Sequence, residues 1–244
     1  MYNKFAQYYD ELMDDVEYEK WYLYMEEILK KENVNGEDVL EMACGTGNMT
    51  KYFVKKGYKV ISFDSSEDML SIVYNKLHKY SNLKILNQNM IDFNINKKFD
   101  IVICVCDGIN YILDENDLQR IFISVNSHLK SGGVFIFDIN SFYKLKEIVG
   151  NNIFVEDRKD IYYIWQNYFD EKSNIAQFDL TFFAKEKDKY IRFDEEHFER
   201  AYSVSEISNL LNKAGFEKVK CYEHPTFSFP DEKSERINFV AGKI

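Results

Sequence analysis

Residues 39–50 read VLEMACGTGNMT: an apolar run to Met42, small residues from Ala43 to Gly47, then a helical pattern from Asn48. A glycine turn between strand and helix lets a ligand approach the backbone closely, because no Cβ holds it off. What flanks the turn narrows the ligand. A dinucleotide fingerprint G-x-G-x-x-G would place its third glycine at position 50, which is Thr50. Glu41, at the strand's end, repels a pyrophosphate at close range and favours a ligand with a cationic end. Asp64 closes the next strand, where a carboxylate can accept hydrogen bonds from both ribose hydroxyls. An adenosine ligand with a cationic rather than a phosphate tail suits both acids.

Outward from this turn the chain alternates strand-like and helix-like stretches. Strands are expected at 38–42, 59–63, 83–87, 100–106 and 134–139, and helices at 48–56, 67–80 and 116–129. Continuous apolar runs such as IVICVC suit a sheet buried on both faces, and β/α alternation implies parallel strands. Gly57 and the pair Gly132-Gly133 read as helix C-caps before strands. An aromatic, helix-compatible arm, residues 2–32, precedes this core. After Gly150 the character changes: 161–168, 175–183 and 190–202 are β-rich and separated by polar turns, as in an antiparallel meander. A helix at 203–214 and strands at 216–222 and 236–243 complete the core. The expected fold is α/β: a Rossmann-like, seven-stranded, mostly parallel doubly wound sheet with an inserted antiparallel β lid. The core comprises 1–149 and 203–244, and the lid 150–202.

Composition removes several classes of function. The 244 residues carry 31 Lys+Arg against 41 Asp+Glu, a net charge of −10, with no basic stripe to draw a polyphosphate. That argues against a nucleic-acid partner. No apolar run approaches the ~20 residues that span a bilayer. Acids at Asp10, Glu11, Asp14 and Asp15 precede any apolar signal region, so a cytoplasmic location without membrane attachment is expected. The cysteines at 44, 104, 106 and 221 form no C-x-x-C pair, and the histidines at 78, 128, 197 and 224 show no metal-ligand spacing. No metal is expected.

With these residues in view, the sequence resembles the class I S-adenosylmethionine-dependent methyltransferases. VLEMACGTGNMT is similar to their first motif, with Ala43 in place of the first glycine, and FDSSEDML to their second. QNMIDF is similar to the third, with Asn89 where an acid is usual. The arm YNKFAQYYDELM and the stretch RFDEEHFERAY resemble a subgroup of small bacterial methyltransferases, similar in layout to sugar N-methyltransferases. The resemblance implies S-adenosylmethionine as cofactor. It assigns to the cofactor Glu41, Ala43, Cys44, Gly45 and Gly47 of the first motif, and Asp64, Ser65 and Met69 of the second. Asn89, Met90, Cys106, Trp21 and Tyr9 complete the set, Tyr9 facing the sulfonium. Each also has a plainer reading: helix capping for Asp64 and its serines, and core packing for the methionines, the cysteines and Trp21.

The activity this implies is transfer of a methyl group to a nitrogen or oxygen of a small molecule. Such chemistry needs in-line positioning, exclusion of water and, for some nucleophiles, removal of a proton. Asp107, Asn110 and Tyr111, past the fourth strand, lie where open α/β sheets bind ligands. Period-two alternation puts Glu195, His197 and Glu199 on one strand face, so the carboxylates are expected to raise the His197 pKa. His197, Tyr9 and Asp107 are the candidate catalytic groups, although His197 also reads as part of a solvated strand surface. An RNA methyltransferase, an NAD-dependent oxidoreductase and a catalytically silent cofactor-binding module are the rival readings.

Overall fold

The structure is a computed structural model and describes residues 4–244, so positions 2 and 3 of the arm lie outside it. The arm forms α1 (Phe5–Leu12) and α2 (Tyr18–Lys31). Then come β1 (Asp38–Met42), α3 (Thr50–Lys55), β2 (Lys59–Asp64), α4 (Glu67–Leu77) and β3 (Leu83–Asn87). β4 (Phe99–Cys104), α5 (Glu115–His128) and β5 (Leu129–Asn140) follow, and a π-helical turn at Lys144–Val149 leads away from the core. Four strands come next: β6 (Ile153–Asp157), β7 (Ile161–Asp170), β8 (Ile175–Glu186) and β9 (Lys189–Arg200). The chain ends with α6 (Val204–Lys213), β10 (Lys218–Glu223) and β11 (Arg236–Gly242).

The main sheet has seven strands in the order β10-β11-β5-β4-β1-β2-β3. β1 pairs in parallel with both β2 and β4, and β11 runs antiparallel to β5. Alternate residues explain why helices cover both faces. Leu40, Val102, Phe135 and Phe137 pack with Leu118 and Phe122 of α5 and Leu211 of α6. Their neighbours Val39, Ile101, Ile103 and Ile136 pack with Met25 and Ile28 of α2 and Phe53 of α3. Each fully buried Phe contributes about 1.5–3 kcal/mol of transfer free energy, so the Phe135–Phe137–Phe239 stack anchors the centre of the sheet. This is the expected seven-stranded, doubly wound fold. Among the described residues, no helix is long and apolar enough to cross a membrane.

Three local expectations need correction. Gly132 and Gly133 lie inside β5, which starts directly after α5, so they do not cap that helix. β4 stops at Cys104 rather than 106, because Cys106 and Asp107 adopt left-handed φ of 60° and 56° and turn the chain out of the sheet. The second sheet has a fourth strand, β6, beyond the expected meander. As an edge strand with Ile153 and Val155 exposed, it carries no one-sided apolar signature.

The second sheet, in the order β6-β7-β8-β9, faces the carboxyl edge of the first. Phe5, Tyr8 and Leu12 of α1 pack beneath it against Ile161, Phe182 and Phe193. Its other end rests on Leu145 and Val149 of the π-helical turn through Phe169 and Phe178. A buried amide latches the two sheets. Asn110 Nδ2 donates to the carbonyls of Asn140 (3.1 Å) and Arg200 (3.0 Å), and its Oδ1 accepts from the Asn140 N–H (2.9 Å).

Candidate active site

Between the carboxyl edge of the parallel strands, α1 and the second sheet lies a cavity of about 530 Å³. The topology places it there: β1–β2–β3 progress one way and β4–β5 the other, which opens a crevice between the loops after β1 and β4. The loop after β1 winds through left-handed φ at Ala43 (50°), Gly45 (52°) and Gly47 (78°). A Cβ at Gly45 would point at the Tyr9 ring, 4.0 Å from its edge, so with glycine here the backbone itself forms the wall. At Gly47 a Cβ would meet Val73 of α4 at 3.1 Å, which ties that glycine to helix packing.

Asp64 fixes the rim. Its carboxylate accepts the Gly45 N–H at 2.9 Å and the Ser66 N–H at 2.9 Å, and it lines the cavity. Burial raises its pKa against these bonds. The helix cap is Ser66, whose Oγ accepts the Met69 N–H at 3.3 Å, so Asp64 is not the N-cap of α4. Asp10 ties α1 to the same loop. It accepts from Thr46 (2.6 Å), Asn48 (2.9 Å) and Lys76 (2.7 Å). Burial works against its charge, but these donors outweigh burial and hold its pKa below the usual carboxylate range. The bonds of Asp10 leave the neighbouring Tyr9 on the cavity wall.

Tyr9, Ala43, Gly45, Asp64, Ser65, Met69, Met90 and Cys106 therefore surround one half of the cavity. The remaining assigned residues sit elsewhere. Glu41 is buried behind the loop, accepting from Thr50 and, at 2.9 Å, from Ser62. Burial pushes its pKa up to about 7. Cys44 packs with Leu70 and Val73, and Gly47 lies under α4. Asn89 is exposed, its side chain accepting the Ile91 N–H at 2.9 Å. Trp21 covers Arg236 at 5.1 Å and His224 at 4.2 Å, outside the cavity lining.

The other half of the cavity is charged, and much of it was missed in the sequence. Arg236, at the start of β11, pairs with Asp107 at 2.7 Å and with Asp138. Asp138 also accepts the N–H groups of Cys106 (2.8 Å) and Asp107 (3.1 Å). Burial works to lower the pKa of the guanidinium, but Asp138 and Asp107 outweigh it and raise it above the usual value. Glu199 and Lys144 share Asn140: Glu199 accepts its Nδ2 at 2.8 Å and Lys144 donates to its Oδ1 at 3.0 Å. Burial raises the Glu199 pKa and lowers that of Lys144. The available signal was positional. Asp138 and Asn140 end a parallel strand, and an antiparallel last strand must begin at the same edge.

His197 is only 5% exposed and lines the cavity, with its ring 5.7 Å from Phe5 and 6.0 Å from Tyr111. A solvated strand surface is thus excluded. The expected rise in its pKa is also wrong: burial lowers it. Burial also raises the pKa values of the flanking Glu195 and Glu199. Among the candidate catalytic groups, Tyr9, Asp107 and His197 all face the cavity, as does Tyr111. Asn110 does not line it, its amide being spent on the latch. No group of three His, Cys, Asp or Glu among the described residues is arranged to hold a metal.

The first half has the features an adenosyl sulfonium needs: a close backbone wall at Gly45, a rim carboxylate at Asp64, soft Met69 and Met90, and the Tyr9 ring. If Asp64 holds both ribose hydroxyls, Asp64→Ala removes charge-assisted bonds worth about 1.5–3 kcal/mol each before losses are shared. Affinity for S-adenosylhomocysteine should fall at least ~10-fold. An unchanged dissociation constant in a folded variant would leave Asp64 only its role in ordering the loop.

Known proteins bear on the same point. A family model described as "Methyltransferase domain" matches residues 39–133. The Bacillus subtilis (strain 168) protein YqeM, which carries a provisional methyltransferase name, is 33% identical over 244 residues, covering 100% of this chain and 97% of its own. The crystal structure of an S-adenosylmethionine-dependent methyltransferase from Clostridium acetobutylicum superposes with a TM-score of 0.90 at 38% identity, covering 99% of this chain and 98% of that one. A Streptomyces venezuelae dTDP-3-amino-3,4,6-trideoxy-alpha-D-glucopyranose N,N-dimethyltransferase is 25% identical over 112 residues, 46% of each chain. The chain belongs to the class I S-adenosylmethionine-dependent methyltransferases.

Proposed function

We propose that this methyltransferase acts on an amine or hydroxyl of a small molecule held in the charged half of the cavity. The observation that carries this reading is the burial of His197 and Glu199 in a chamber roofed by the second sheet. A small molecule fits such a room. The amino-sugar relative from Streptomyces venezuelae supports an acceptor of this kind.

S-Adenosylmethionine supplies an activated methyl carbon on its sulfonium. The protein's residues do the rest. Tyr9 and the loop after β1 position the donor end, while Phe5, Phe182 and Trp165 exclude water. His197, with its pKa lowered by burial, is neutral near pH 7 and can accept a proton from the nucleophile. An amine needs little help of this kind; a hydroxyl needs more.

The test is incubation with S-adenosylmethionine and a panel of amines, amino sugars, hydroxy compounds and RNA. Methylated product and S-adenosylhomocysteine are read by mass spectrometry. Transfer to a small molecule is expected. Transfer to RNA alone would overturn the proposal.

A further inference from the structure

Lys144 is the cation of the cavity whose partners do not balance its charge. It stands at the first position of the π-helical turn, a local widening of a helix that recurs at functional sites. Among the described residues its ammonium makes one hydrogen bond, to Asn140 Oδ1 at 3.0 Å. No carboxylate among the described residues comes within the 4.0 Å of an ion pair. Of the carboxylates that act on it electrostatically, Glu235 is exposed to water and makes no ion pair with it, and the other two are otherwise engaged. Asp107 pairs with Arg236 at 2.7 Å, and Glu199 accepts from Asn140 at 2.8 Å. Two of the three ammonium N–H donors are thus left for a ligand.

A second donor lies on the same wall. Trp165 Nε1 is buried, has no hydrogen-bond partner among the described residues, and belongs to a residue that lines the cavity. Trp165 packs on the cluster formed by Leu145 and Val149, the apolar residues of the turn that carries Lys144. A buried donor without an acceptor and a largely buried cation without an anion are both costly, and an anionic oxygen group offsets both at once. The donor half of the cavity, around Gly45 and Asp64, lies on the loops after β1 and β2, whereas Lys144 follows β5. The cationic site therefore belongs to the acceptor's side.

We propose that Lys144 and Trp165 seat a carboxylate of the methyl acceptor, which makes the acceptor a small amine or hydroxy compound that also carries an acid group. The inference rests on the small-molecule reading above and deepens it. The donor set favours a carboxylate over a phosphate. One ammonium and one indole N–H can serve two oxygens and one charge, whereas a phosphate dianion needs more of both. With its anionic end held there, the acceptor's other end is free to reach His197 and Glu199, which line the same chamber.

The experiment needs no knowledge of the natural acceptor. Protein saturated with S-adenosylhomocysteine is melted in acetate, glycine, phosphate, methylamine and chloride at fixed ionic strength. Acetate and glycine should raise the midpoint above chloride, and methylamine should not. Lys144→Met should weaken the fitted acetate affinity at least ~10-fold, and Trp165→Phe should weaken it less, with S-adenosylhomocysteine affinity unchanged in both. No difference between acetate and chloride, or an equal response in Lys144→Met, would overturn the assignment. So would phosphate stabilising more than acetate. Methylation of amines that lack any acid group, with no preference for acidic ones, would leave the small-molecule reading standing and defeat this one.

Discussion

Arg236→Met is expected to lower the unfolding midpoint by roughly 10 °C and to abolish methyl transfer. Asp138 is 1% exposed, and Arg236 is the cation that pairs with it. Removing one partner of a buried pair costs about 3–5 kcal/mol, because the other charge stays in a poor solvent. At this chain length each kcal/mol moves the midpoint by roughly 2–4 °C. The damage reaches the site through the backbone. Asp138 holds the N–H groups of Cys106 and Asp107, which sit in the left-handed turn that lines the cavity. Adding Asp138→Asn to the variant should restore part of the stability, since it removes the stranded charge. Differential scanning calorimetry reads both effects. A shift under about 2 °C would mean that water reaches Asp138 and that the pair matters little.

His197→Ala should lower kcat by ~10²-fold or more, the order of a general base's contribution, with S-adenosylhomocysteine affinity nearly unchanged. The pH profile separates this from a structural role. Burial lowers the folded-state pKa of His197 below the usual value, so the neutral ring persists under mildly acidic conditions. Activity should fall as pH drops through that lowered pKa, and the fall should vanish in the alanine variant. Stability follows the same sign. A histidine buried neutral contributes its full stability above the unfolded pKa and loses it as pH falls through the folded one. Should turnover survive within a few-fold, His197 belongs to the roof's packing, and Asp107 and Tyr9 become the next groups to replace.

The legible parts of this molecule were those governed by local pattern. Continuous apolar strands and regular punctuation gave the seven strands of the main sheet, because burial on both faces leaves its mark on successive residues. The loop from Ala43 to Gly47 was readable because left-handed backbone and close approach restrict residue choice. What escaped depends on contacts between distant segments. Arg236, Asp138 and Asn140 meet only once β11 is laid antiparallel on β5. The pKa of His197 was misjudged because alternation locates neighbours on a face but not whether they are buried. Glu41 illustrates the same limit. Its place in the motif was visible, but its turn inward to Thr50 and Ser62 comes from the packing of α3 on β2.

Calorimetric titration of the unmodified protein with S-adenosylhomocysteine and with NAD tests the whole account most directly. Glycine turn, rim carboxylate and absent third glycine together call for an adenosyl sulfonium. The account predicts micromolar-order affinity for S-adenosylhomocysteine, roughly −8 kcal/mol, and no detectable heat with NAD. Clear binding of NAD with no signal from S-adenosylhomocysteine would contradict it.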